Sequence, residues 1–247
     1  LIYVAVPEFS IVVPAFNEEL ALAATLGRIG NARERLKRER GVRSELVVVD
    51  NASGDATAEI AAQHGALVVS EPEHNVARVR NAGAAAGTGD VLVWIDADTL
   101  VPDEVLCRIA DALADPECVG GAVDVLHLPA RRLLRLYLGA WRVIGLALRM
   151  SQGAAQFARR SAFEALGGFD ERQFMGEDVE FQWRLRRHAH RDGKHTTVIR
   201  RCQVVPAARR FDQWPLWRTL VWTNPVTCAL FARRAEAWRG WYVNPPR

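Results

Sequence analysis

The chain has 247 residues, 49% of them apolar and 25% charged, with a formal net charge of +3. This length and composition suit one compact α/β unit spanning residues 1–247, and the nearly balanced charge excludes a strongly basic nucleic-acid binder. Four widely spaced cysteines, Cys107, Cys118, Cys202 and Cys228, contain no CxxC pair, which excludes a dense disulfide framework or a recognisable zinc site and suits a cytoplasmic protein with reduced thiols.

Four short apolar runs alternate with helix-compatible stretches in the first half: Phe9–Val13, Leu46–Val49, Ala66–Val69 and Val91–Ile95. Such alternation predicts a parallel sheet with crossover helices. The runs are apolar throughout, so all four strands are expected at the centre of the sheet with helices on both faces. Ligands of such sheets sit beyond the C-terminal strand ends, which directs attention to Pro14–Glu18, Asp50–Asp55 and Asp96–Thr99. Further along, Val119–Val125 reads as a strand and Arg131–Met150 as a long helix, with Phe157 ending a short strand. Gly167–Gly168 is a turn signal, Glu177–His188 a helix, and Thr196–Ile199 and Val204–Val205 two more strands. No stretch reaches the roughly 20 uninterrupted apolar residues of a membrane span, and no basic-then-apolar leader precedes the first strand; the missing initiator Met leaves the true N-terminus open.

Asp96-Ala97-Asp98 follows the apolar run Val91–Ile95, so two carboxylates one residue apart stand at a strand end. They are hard oxygen donors for Mn²⁺ or Mg²⁺, and such a cation neutralises a diphosphate leaving group. The bland alternative is a solvated turn. Asp50 offers acceptors for a base imide, whereas Asn51 and Ser53 read first as caps of the next helix. Phe181, Leu185 and Ala189 share a helical face, which puts Glu177 and Asp178 in a first turn, where acids also serve as ordinary stabilisers. His127 to Arg160 contains seven arginines and no acid. Within it, Arg135, Arg142 and Arg149 recur seven apart beside a Leu/Trp/Ile surface, either as an interfacial membrane helix or as a packed helix whose arginines reach solvent or acids. Trp214–Phe231 adds aromatic residues suited to a headgroup region, an acceptor pocket or a homodimer surface.

Taken in order, Pro14-Ala15-Phe16-Asn17-Glu18, Val49-Asp50-Asn51-Ala52-Ser53-Gly54-Asp55, Arg80-Asn81-Ala82-Gly83, Asp96-Ala97-Asp98, Gly167-Gly168-Phe169-Asp170 and Glu177-Asp178 resemble the inverting nucleotide-sugar glycosyltransferases of family 2, which have the GT-A fold. The resemblance implies a Rossmann-like, mostly parallel sheet flanked by helices, with residues 1–125 holding a nucleotide diphosphate sugar and the smaller half, 126–247, the hydroxyl acceptor. It places Pro14, Ala15, Asn17, Glu18, Asp50, Asn51, Ser53, Arg78, Arg80, Asn81, Asp96, Ala97 and Asp98 around the donor. Asp50 falls at the base, Arg78 and Arg80 near the diphosphate, Asp96 at the ribose or metal, and Asp98 as the principal metal ligand. Asp178 falls at the catalytic base, with Glu177, Gly153 and Trp183 on the acceptor side. The acceptor implied is a hydroxyl, with a lipid-linked one and peripheral membrane contact among the readings.

The Gln-x-x-Arg-Trp motif of processive relatives is absent; Gln182-Trp183-Arg184 and Arg209-Arg210-Phe211-Asp212-Gln213-Trp214 only approximate it, so transfer of a single sugar is expected. His188, His190 and His195 read as surface residues. A sugar nucleotidyltransferase would share the architecture but lacks here its glycine-rich first loop, and a non-catalytic nucleotide-binding module would not need both Asp98 and Asp178. A haloacid dehalogenase-type hydrolase would need one more residue before Thr99.

Overall fold

The computed structural model describes residues 9–147, 153–234 and 236–238. In chain order the elements begin β1 (Phe9–Ala15), α1 (Leu22–Arg40), β2 (Ser44–Asp50), α2 (Thr57–Gln63), β3 (Leu67–Ser70), α3 (Val76–Ala86) and β4 (Val91–Ile95). They continue with β5 (Thr99–Leu100), α4 (Val105–Leu113), β6 (Cys118–Val125), α5 (Arg132–Ala147), β7 (Ala155–Arg159), α6 (Arg160–Ala165) and α7 (Glu177–Arg191). The last are β8 (His195–Pro206), α8 (Arg209–Gln213), α9 (Leu216–Trp222) and α10 (Pro225–Phe231).

All strands join one sheet in the order β3-β2-β1-β4-β7-β6-β8-β5. β1, β2, β3 and β4 pair in parallel, as do β6 and β8. β7 runs antiparallel to both its neighbours, and β5 antiparallel to β8. Alternate side chains of each strand go to opposite faces. Ile11, Val13, Val48, Val93 and Ile95 join the core under α1 and α4, whereas Val12, Val47, Val49, Leu92 and Trp94 join the core under α3, α6 and α7.

Helix α1 is built by Leu22, Leu26, Ile29 and Leu36, which recur on one buried face. It stops at Gly41, whose φ of 66° suits a left-handed cap and whose N–H donates to the Lys37 carbonyl. Helix α3 starts at Asn75, whose side chain accepts from Arg78 N–H at 3.1 Å. A Cβ at Gly83 would overlap Val12 and lie 2.9 Å from Val49, so only glycine lets α3 lie this close to the sheet.

Several expectations need correction. β3 is an edge strand with half-exposed residues, because only β2 pairs with it. Phe157 lies in the middle of β7, since that strand pairs along its length with β4. Thr196–Ile199 and Val204–Val205 belong to the single strand β8, which continues past irregular pairing with β6 between Val123 and Asp124. Helix α7 runs on to Arg191, and α5 is described only as far as Ala147, so Arg149 and Met150 lie outside the described residues.

Candidate active site

The C-terminal ends of β1 and β4, the start of β7, the first turn of α7 and helices α5 and α8 surround a cavity of about 1290 Å³. From the first half of the chain, Pro14, Ala15, Glu18, Asn51, Arg80, Asp96, Ala97 and Asp98 line it. From the second half, Gly153, Glu177, Asp178 and Trp183 line it.

Arg80, from α3, is the hub that links these two sets. It is 3% exposed, and its guanidinium donates to Glu177 Oε1 at 2.6 Å and Asp96 Oδ1 at 3.0 Å while lying 5.4 Å from the Phe169 ring centre. Burial alone would push its pKa down, but Glu177, Asp96 and Asp178 outweigh it and hold it above its ordinary value. Burial also raises Asp96, and brings Glu177 up to about 7 with Asp178 adding to the rise and Arg80 opposing it. Glu177, read from the sequence as an acceptor-side residue, therefore spends one oxygen on Arg80.

Asp178 is held from two directions. Gln156 Nε2 donates to its main-chain carbonyl at 3.1 Å, and Gly153 lies so close that a Cβ there would fall on the Asp178 carboxylate. Asp98 sits just past β4, and its carbonyl accepts from Ala207 N–H at 2.9 Å, which ties it to the chain entering α8. Arg209 then donates to both Glu18 Oε2, at 2.5 Å, and Asp98 Oδ2, at 3.3 Å. Burial lifts Glu18 to about 7, with Asp98 contributing and Arg209 counteracting.

Asn17, Asp50, Ser53, Arg78 and Asn81 do not line the cavity, because their polar groups hold neighbouring loops. Asn17 Oδ1 accepts from Gly54 N–H at 2.8 Å, and Ser53 Oγ accepts from Asn17 N–H at 2.9 Å. Asp50 Oδ1 accepts from Ser53 N–H at 3.3 Å. Arg78 faces Glu71, Glu73 and Glu171, and Asn81 fastens the Gly168–Phe169 turn through Phe169 N–H and carbonyl. The capping reading of Asn51 and Ser53 fails: α2 begins after Ala56 without a side-chain cap, while Asn51 Nδ2 donates to the carbonyls of Glu71 and Glu73.

Sequence reasoning gave no role to Arg209, Arg210 or Asp124. Arg210 lines the cavity, and burial lowers its pKa. Asp124 is 1% exposed and receives both Arg142, at 2.8 Å from Nε, and Gln203, at 3.0 Å. That pair docks α5 onto β6, so Arg142 follows the packed-helix reading. On the outer side of α5, Leu136 and Val143 are 73% and 64% exposed. His188 and His195 lie at the surface, each 3.7 Å from a carboxylate.

The donor set at the β4 end fits a divalent cation. Asp96 and Asp98 offer hard, partly exposed carboxylates to the cavity, and among the described residues no group of three or more His, Cys, Asp or Glu is placed to hold a metal ion by itself. Mg²⁺ and Mn²⁺ are commonly held this way, by one or two carboxylates with phosphate oxygens and waters filling the remaining positions.

A mostly parallel sheet flanked by helices is the GT-A-type fold of solved glycosyltransferases. The chain belongs to glycosyl transferase family 2, whose sequence model matches residues 10–167. It is 25% identical over 242 residues to the Probable glycosyltransferase YdaM of Bacillus subtilis, covering 85% of this chain and 53% of that one. It is 29% identical over 212 residues to the beta-monoglucosyldiacylglycerol synthase of Synechocystis, covering 76% of this chain and 42% of that one. The chain thus spans about half or less of the length of these curated relatives. Among solved structures, the mannosyltransferase PcManGT of Pyrobaculum calidifontis, in complex with GDP-Man and Mn²⁺, superposes with a TM-score of 0.65 at 24% identity, covering 97% of this chain and 66% of that one.

Proposed function

We propose that this glycosyltransferase is metal-dependent and inverting, moving one sugar from a nucleotide diphosphate sugar to the hydroxyl of an acceptor with an apolar body. The observation that carries the reading is that Asp96, Asp98 and Asp178 line one cavity. Residues up to about 125 would hold the donor and those beyond it the acceptor.

Pro14, Ala15, Glu18 and Asn51 offer the wall against which the nucleotide lies. Asp98 and Asp96 would hold Mn²⁺ or Mg²⁺, which neutralises charge on the departing diphosphate. Arg80 fixes Asp96 in direction and joins it to Glu177, so the metal side and the α7 side keep one spacing. Asp178 takes the acceptor proton as the hydroxyl oxygen attacks the anomeric carbon from the face opposite the diphosphate, which inverts that centre. Gln156 holds its main chain, and the lack of a side chain at Gly153 leaves the room its carboxylate occupies. The complexed Mn²⁺ and GDP-Man of the solved mannosyltransferase support the donor and metal parts of this reading.

Leu138, Trp141, Ile144, Trp222 and Leu230 give the far side of the cavity an apolar wall, which favours a lipid-like acceptor. The name of the Synechocystis relative, which specifies a glucosyldiacylglycerol, agrees with it. Outside, exposed Leu133, Leu136 and Val143 on α5 lie near Arg132 and Arg135 in sequence, a combination suited to an anionic lipid surface. The contact proposed for this surface is peripheral and on the cytoplasmic side; no helix among the described residues is long and apolar enough to cross a membrane.

The test is a binding and turnover screen of UDP-, GDP- and dTDP-sugars with Mn²⁺. Asp98→Ala should abolish metal-dependent donor binding. Asp178→Asn should keep it and lose about 10²- to 10⁴-fold in turnover. Donor binding by folded Asp98→Ala at wild-type strength, or a product that retains the donor's anomeric configuration, refutes the proposal.

A further inference from the structure

Arg209 stands where a cation is needed. The backbone fixes it there: Thr99 pairs with Pro206 across β5 and β8, Ala207 N–H bonds the Asp98 carbonyl, and Arg209 opens α8 directly afterwards. Its Nη2 touches Glu18 Oε2 and Asp98 Oδ2, so one nitrogen bridges carboxylates from the β1 and β4 ends. The three side chains are only 14–27% exposed, which keeps the bridge partly shielded from solvent.

We propose that Arg209 is a counter-ion latch, competing with the divalent cation for Asp98 until a donor diphosphate draws its guanidinium away. The inference rests on Asp98 being a metal ligand. A cation entering alone meets a carboxylate already paired and a fixed positive charge 3.3 Å from it. Each works against binding. A diphosphate changes both conditions, because its oxygens accept a guanidinium in the planar, two-bond geometry that a carboxylate uses. Arg209 then exchanges one anion for another, Asp98 is released, and the same guanidinium helps hold the donor. Metal and nucleotide therefore bind with positive coupling, part of which runs through Arg209.

The experiment is an electron paramagnetic resonance titration of Mn²⁺ into the full chain, alone and with saturating UDP or GDP. Wild type, Arg209→Gln, Arg209→Lys and Asp98→Asn are compared, with circular dichroism confirming the fold of each. In wild type, the nucleotide should tighten Mn²⁺ binding within the usual coupling range of about 5- to 150-fold. Arg209→Gln should bind Mn²⁺ alone about fivefold tighter, the equivalent of one partly exposed ion pair, and bind the nucleotide more weakly, with the coupling reduced. Arg209→Lys, which keeps the charge, should bind Mn²⁺ alone much as wild type does. If Arg209→Gln binds Mn²⁺ alone no better than wild type while Asp98→Asn abolishes binding, the latch is wrong and the metal site stands. If Asp98→Asn and wild type bind Mn²⁺ alike, both ideas fall. Equal gains in the Gln and Lys variants would trace the effect to side-chain shape and also overturn the latch.

Discussion

Replacing Arg80 by Met removes the charge at the hub while roughly keeping its length. Asp96 and Glu177 then lose the partner that bonds them at 3.0 and 2.6 Å in a place where Arg80 itself is 3% exposed. Breaking a buried ion pair from one side costs about 3–5 kcal/mol, because the remaining charges stay desolvated. At about 2–4 °C per kcal/mol for a chain of this size, melting should fall by about 6–20 °C. The pH dependence follows from Glu177, whose carboxyl lies at about 7 in the folded chain against an ordinary 4.5. A carboxyl raised on folding binds its proton more tightly in the folded state, so its contribution to stability declines as pH rises from 4.5 through 7. Without Arg80 the carboxyl rises further and the decline continues above 7. The gap between variant and wild type should thus be flat below about pH 7 and widen above it, by at most about 1.4 kcal/mol per pH unit. Equilibrium unfolding in guanidinium chloride at pH 6.5 and 8.5 measures both effects. A variant within about 1 kcal/mol of wild type at pH 8.5, or a gap unchanged between the two pH values, would refute the assignment of Arg80 as the shared counter-ion.

Two other perturbations probe the acceptor side. Gly153→Ala puts a methyl group where the Asp178 carboxylate lies, so turnover should fall by about 10²-fold, the effect of a misplacement near 1 Å, while donor affinity stays near wild type; steady-state kinetics beside donor titration read the two separately, and unchanged turnover would show that Asp178 need not hold this position. Paired Leu136→Glu and Val143→Glu changes act on side chains 73% and 64% exposed, so they should leave stability nearly unchanged but abolish flotation with anionic vesicles at low salt; equal flotation of variant and wild type would remove the lipid surface from α5.

The first half of the fold was legible because each strand is an apolar run ended by a polar turn, as Val91–Ile95 is by Asp96. β7 and β8 were less so. Gln156 interrupts the apolar pattern of β7 to reach the Asp178 carbonyl, and the charged stretch Arg200–Arg201 divides a strand that the backbone continues. Asp96, Asp98 and Asp178 were legible as candidates because their patterns are local. The hydrogen bonds that organise them are not: Arg80 reaches Glu177 across 97 positions, and Arg209 reaches Glu18 across 191. Their signal in sequence is no more than an arginine after a strand or within a helix, which solvent explains equally well.

The reversed direction of β7 has a mechanical consequence. Ile95 pairs with Ala155, and Asp96 N–H bonds the Ala154 carbonyl at 3.1 Å, so the segment that ends with Asp96 and the segment that begins beside Gly153 are stitched into one sheet. The cavity therefore lies over a seam and not over a hinge. Opening it by swinging the two walls apart would unzip ladder bonds between β4 and β7. Admission of a bulky acceptor falls instead to the helices that line the cavity, α5, α9 and α10; none of them is a strand of the sheet, and α5 meets β6 through the Arg142 side chain, so they can shift without breaking backbone pairing.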